Sequence, residues 1–189
     1  MFFGKNNMLT HRYFSDQSER VGLGQLSKSE RLDFQNLRWP WYAVVFIVKG
    51  KGTYVDHNGH DYPLGQGMYF QRLPHLKHST FIDTSEEWQE VFFDFGVKTY
   101  EMMLACQMIK ENKLVGFCEI SKSLLEKHRQ MIDKLRECES HQVPRLLPEI
   151  IALLQDFFAQ SIQESPSVVQ EACDYLRNNF HVSDKIQDF

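Results

Sequence analysis

Short apolar runs cut by turn residues dominate the middle third of the chain. Residues 44–48 are wholly apolar and mostly β-branched, and they end at Lys49-Gly50-Lys51-Gly52. A second short strand is expected at 53–56, followed by His57-Asn58-Gly59-His60, where Asn-Gly supplies the positive-φ pair of a tight hairpin. Pro63, Gly65 and Gly67 punctuate the approach to a strand at 68–73, which Pro74 closes because it has no amide to give to a ladder. Further strand signals fall at 79–82 and 88–96, on either side of an acidic turn. In the latter, a period of two puts Trp88, Glu90, Phe92 and Asp94 on one face and Gln89, Val91, Phe93 and Phe95 on the other, so one set faces an interior. Strands this short with turns this frequent predict a small antiparallel barrel or sandwich.

The flanks read differently. Residues 1–29 are polar and loosely patterned, as expected of an arm, and 31–35 alternate weakly, as a first strand would. Trp39-Pro40-Trp41 would be unusual in a solvated loop, and the rim or wall of a pocket explains it better. From Lys98 the apolar spacing changes from two to three and four, predicting helices at 98–112, at 121–139 with Ser121 as N-cap, and at 144–163 opened by Pro144. The apolar arc of the last is broad enough to need cover on more than one side, which points to a subunit partner. A linker at 163–167 precedes another short helical pattern at 168–180.

Composition narrows the function. The chain has 189 residues, 42% of them hydrophobic, enough for one sizeable core. Its net charge is −4, with 10 basic against 11 acidic residues up to Val97 and 11 against 14 after it. Neither part carries the basic excess that phosphate neutralisation requires, so the sequence given does not read as a nucleic-acid binder in itself. Cys106, Cys118, Cys138 and Cys173 lie far apart, as reduced thiols do, and neither a secretory signal nor a membrane-length apolar run is present, so a cytoplasmic location is expected.

The order of landmarks Gly50-x-Gly52, Asn58-Gly59, Tyr62-x-Leu64-x-x-Gly67, Pro74-x-x-x-His78 and a Trp-led strand from Trp88 resembles the cupin-like sensor domain of AraC/XylS-type bacterial transcription regulators. Residues 168–189, with Ala172, Tyr175-Leu176 and Asn178-Asn179, resemble the opening of that family's helix-turn-helix domain. The resemblance implies an α+β chain: an arm and cupin-like antiparallel β-barrel of jelly-roll type at 1–97, a helical dimerisation region at 98–163, and a linker with the start of a truncated helix-turn-helix domain at 164–189. It implies a non-enzymatic, homodimeric regulator that senses a small polar effector, a sugar among the options. DNA would be contacted only through a domain mostly missing from this sequence, and no membrane is involved.

Resemblance also carries Arg38, Thr80, His78 and Glu90 with Phe92 over as effector contacts, and Trp39 and Tyr54 are further candidates. An aromatic ring stacks on a polyol's apolar face, while Arg and Glu bond its hydroxyls. Metal-binding cupins suggest a different class, an isomerase or oxygenase. Here, however, His57 and His60 are three apart with no following Glu before Gly65, whereas a strand presents ligands two apart to one interior. His75 completes no such motif either. No metal, cofactor or catalytic group is therefore expected; Glu90 and Asp94 read as a solvated strand face, and no Gly-x-Ser-x-Gly or phosphate loop occurs. A third reading is a dimerisation module whose pocket its own aromatics fill.

Overall fold

A computed structural model describes residues 7–14, 19–28 and 34–159. The large sheet runs in the order β1 (Met8–Tyr13), β2 (Arg20–Lys28), β9 (Trp88–Phe95), β4 (Tyr42–Lys49), β7 (Met68–Arg72), β10 (Val115–Phe117). The small sheet runs β3 (Phe34–Arg38), β8 (Lys77–Ile82), β5 (Gly52–Val55), β6 (Asp61–Leu64), and every pairing in both sheets is antiparallel. Three α-helices follow or interrupt the last strands: α1 (Val97–Ala105), α2 (Lys122–Glu137) and α3 (Val143–Ala159). None of the described helices is long and apolar enough to cross a membrane.

The α+β class and antiparallel pairing are as the sequence predicts, but among the described residues the expected barrel does not close. Among the described residues the two sheets share no ladder; β1 and β10 end one, β3 and β6 end the other. They face each other instead. The ring of Tyr54 of the small sheet packs at a tilt 4.9 Å from Phe70 of the large one, and its hydroxyl donates to the Gln71 carbonyl at 2.8 Å.

The large sheet is covered on both sides, which explains the unbroken apolar run of β4. Tyr42 and Phe46 face the helices, Tyr42 stacking on Tyr100 at 5.2 Å and Phe46 packing at a tilt against Phe157 at 4.8 Å. Ala43 and Val45 face the other sheet. In β9 the period of two divides likewise: Phe93 meets Phe157 and His128 of the helical layer, while Glu90, Phe92 and Asp94 look inward. One hydrophobic core thus runs through strands and helices together.

Residues 8–13 and 20–28 are strands, not a loose arm, and β2 sits between β1 and β9. In Val21-Gly22-Leu23-Gly24-Gln25 the odd positions are buried beneath the helical layer, while the inward positions are glycines. A Cβ at Gly22 would lie 2.2 Å from the His11 ring, and one at Gly24 2.2 Å from the Phe92 ring. Neighbouring strands therefore supply the bulk on that face, and the alternation disappears from the sequence. The expected first strand is in fact the third, shifted to Phe34–Arg38.

Local signals explain the remaining boundaries. Of the Asn58-Gly59 turn only Gly59 takes positive φ, at 84°, because the Asp56 carboxylate organises the loop by accepting from the Asn58 and His60 amides at 2.8 and 2.9 Å. Those hydrogen bonds hold the Asp56 carboxyl below its ordinary range even though burial pushes it up. Helix α1 ends well short of 112: Gln107, at φ 57°, closes it, with the Met108 amide donating back to the Met103 carbonyl at 2.9 Å. At the other end Glu19 caps α1 from a distance, accepting from the Lys98 amide at 2.8 Å, so Gly96 must lack a Cβ there. Ser121 caps α2 as predicted, accepting from the Leu124 amide at 3.2 Å. Pro144 lies in the first turn of α3, and the expected linker and helix-turn-helix start at 164–189 lie outside the described residues.

Candidate functional site

Between the sheets lies a cavity of about 440 Å3. Its walls are aromatic and aliphatic: Phe34, Trp39, Trp41 and Phe92 with Leu9, Leu26, Ala43 and Val45. Trp39 and Trp41 stack 5.5 Å apart around Pro40, so the Trp-Pro-Trp segment forms a wall, as its composition suggests.

Five charged groups enter this apolar shell. Arg20 Nη2 donates to Asp94 Oδ2 at 2.8 Å, and His11 Nε2 meets the same oxygen at 2.9 Å. The Arg20 guanidinium also lies 4.1 Å over the Trp41 ring. Lys28 Nζ donates to Glu90 Oε1 at 2.8 Å, and the indole N–H of Trp88 donates to Glu90 Oε2. Each of these two ion pairs is buried, so each partner holds the other in place, and removing one would strand a charge.

Arg72, the fifth, is arranged otherwise. It is 5% exposed, lies 4.8 Å over Trp39, 5.0 Å over Phe70 and 5.5 Å over Phe34, and donates from Nη2 to the Thr80 hydroxyl at 3.1 Å. Burial lowers its pKa from the ordinary value, the more distant charges of Glu90 and Asp94 opposing the shift. Beside it, His78 is pushed down to about 4, first by burial and then by the Arg72 charge, so its ring is neutral at pH 7.

The sequence-derived candidates divide by position. Trp39, Glu90 and Phe92 line the cavity together, and Glu90 and Asp94 are buried there in ion pairs rather than on the expected solvated face. Thr80 and His78 stand behind it: Thr80 holds the Arg72 guanidinium, and His78 packs edge-on to Trp39 at 5.3 Å. Tyr54 belongs to the contact between the sheets. Arg38 is exposed at the end of β3, opposite Lys77, because a bulge at Asn36, with φ 54°, shifts the strand's register after Phe34. Arg20, Lys28 and Arg72 are the cavity's cations instead. Arg72 was detectable as the one charge of the strand at 68–72, two residues from Phe70; Arg20 and Lys28 were hidden with β2.

His57, His60 and His75 are all exposed, and among the described residues no cluster of three or more His, Cys, Asp or Glu is placed to hold a metal ion. Cys106, Cys118 and Cys138 form no disulfide; Cys118 is buried, its thiol pushed up to about 12 by that burial.

No family model and no curated protein matches the chain. Among solved structures, the AraC-like transcriptional activator CuxR is similar over 94% of this chain and 72% of its own, at 14% identity and a TM-score of 0.49. The protein YhaK from Escherichia coli is similar over 49% of this chain and 44% of its own, at 14% identity and a TM-score of 0.38. A structure of DMSP lyases RdDddP and RnDddQII is similar over 43% of this chain and 40% of that chain, at 20% identity and a TM-score of 0.34. In the last two the chain spans less than half of the other protein's length.

Proposed function

We propose that this chain is the ligand-sensing portion of an AraC-type transcription regulator, with a small polar effector bound between the two sheets. One observation carries the reading: a cavity of about 440 Å3 whose aromatic walls surround charged side chains already fixed by one another. Such preorganisation suits recognition, because the polar contacts are in place before the ligand arrives and little ordering is left to offset. The order of landmarks from Gly50 to Trp88 supports the family, and the helical layer behind the cavity is where a homodimer contact and a link to DNA-binding domains belong in this reading. Binding would bias that layer only so far as the ligand distinguishes two of its arrangements.

A thermal-shift screen of sugars and uronates tests this. A specific ligand raises the melting temperature progressively with its concentration, and Trp39→Ala abolishes the rise. A shift that survives Trp39→Ala, or stoichiometric metal in protein purified without chelator together with turnover of a substrate, would replace the reading with another.

A further inference from the structure

The cavity's charges do not balance. Lys28 is paired with Glu90, and Arg20 shares Asp94 with His11, so among the described residues Arg72 is the one Arg or Lys of the cavity that no carboxylate pairs with. A guanidinium has five N–H donors, and among the described residues Arg72 makes one hydrogen bond, to Thr80. Its Nε is buried without a partner. The rings of Trp39, Phe70 and Phe34 attract the cation through their faces, yet they accept none of its in-plane N–H bonds. A buried cation left in this state costs stability unless something else completes it.

We infer that the ligand of this cavity is a small monocarboxylate, its carboxylate seated on the Arg72 guanidinium and its body between Trp39, Trp41 and Phe92. The inference rests on the sensing reading above and specifies its ligand. A planar carboxylate matches the guanidinium's fork with two parallel hydrogen bonds, and its single charge equals the excess. A phosphate dianion would overshoot that excess beside Glu90 and Asp94, and a neutral sugar would leave it standing. The aliphatic and aromatic walls take the ligand's apolar surface, and the free lone pairs of Glu90 and Asp94 can accept from any hydroxyl it carries.

Matched acids and amides separate the charge from the body. Acetate and acetamide, benzoate and benzamide, and glucuronate and glucuronamide are each compared by thermal shift and calorimetry on the full chain at pH 7 and constant ionic strength. At least one acid should raise the melting temperature where its amide does not. Arg72→Met should weaken that acid by about 10- to 100-fold, the range a lost charge-assisted hydrogen bond represents. In the absence of ligand, Arg72→Met should melt no lower than the parent protein, because it removes a buried charge that has no paired carboxylate. Amides that act as well as their acids, or an acid whose effect survives Arg72→Met, overturn the carboxylate and leave a sensor of neutral ligands. If no acid, amide or neutral sugar acts, the carboxylate and the sensing reading fall together.

Discussion

Phe92 turns its ring into the cavity and its carbonyl toward His128 of α2, whose Nε2 lies 3.2 Å from that oxygen. On its other side the same imidazole lies 3.5 Å from the Gln25 amide nitrogen of β2, and Phe93 and Phe157 enclose the ring. A displacement of the β9 backbone at the cavity wall therefore meets the helical layer through a hydrogen bond as well as through the packing of Phe93 on His128 and Phe157. His128→Leu keeps the apolar contacts but removes the hydrogen bond to the Phe92 carbonyl, so we expect a loss of about 0.5–1.5 kcal/mol in urea unfolding. An unchanged unfolding midpoint would show that this bond contributes nothing.

Acid sensitivity follows from two buried imidazoles. His128 and His78 are each pushed down to about 4, chiefly by burial, from an ordinary value near 6.5. Above about pH 6.5 both are neutral in the folded and the unfolded chain, and neither affects stability. As the pH falls from there to about 4, the unfolded chain takes up protons that the folded one refuses, and stability drops. Urea titrations at pH 7, 6 and 5 should show this fall, and His128→Gln should make it shallower. Stability that is flat over this window would contradict the neutral, buried state of both rings.

Lys28 and Glu90 should behave as a unit. With the two side chains buried and 2.8 Å apart, Lys28→Met alone leaves a stranded carboxylate and is expected to cost about 3–5 kcal/mol. Adding Glu90→Gln to Lys28→Met should restore part of that loss. Additive costs in the double-mutant cycle would mean the pair is not coupled.

Gly24→Val tests the packing of the cavity floor. Its side chain would collide with the Phe92 ring, which has no bulk beneath it in the parent structure. Overpacking of this kind typically costs about 1–3 kcal/mol, and the displaced ring should also abolish ligand-induced stabilisation. Retained ligand binding would show that Phe92 is not part of the binding wall.

Much of this architecture was legible in the sequence, and the gaps have physical causes. β4 could be read because both of its faces are buried and every position from Tyr42 to Val48 is apolar. Helix α2 was readable because Ser121 opens it and its apolar stripe is narrow. β2 could not be read from periodicity, since its middle inward positions, Gly22 and Gly24, are glycines that make room for His11 and Phe92. With β2 went Arg20 and Lys28, two of the three cavity cations. Position along the chain pointed to Arg38, but a bulge at Asn36 is a backbone event with no strong residue signature, and it leaves that side chain exposed.

A crystal structure of the chain with the best ligand from the thermal screen tests the central claim most directly. The account predicts ligand density between the sheets, flanked by Trp39, Trp41 and Phe92 and in reach of Arg72. Density elsewhere, such as in the groove between α2 and α3, or a cavity closed by its own side chains while the ligand is bound, would contradict it.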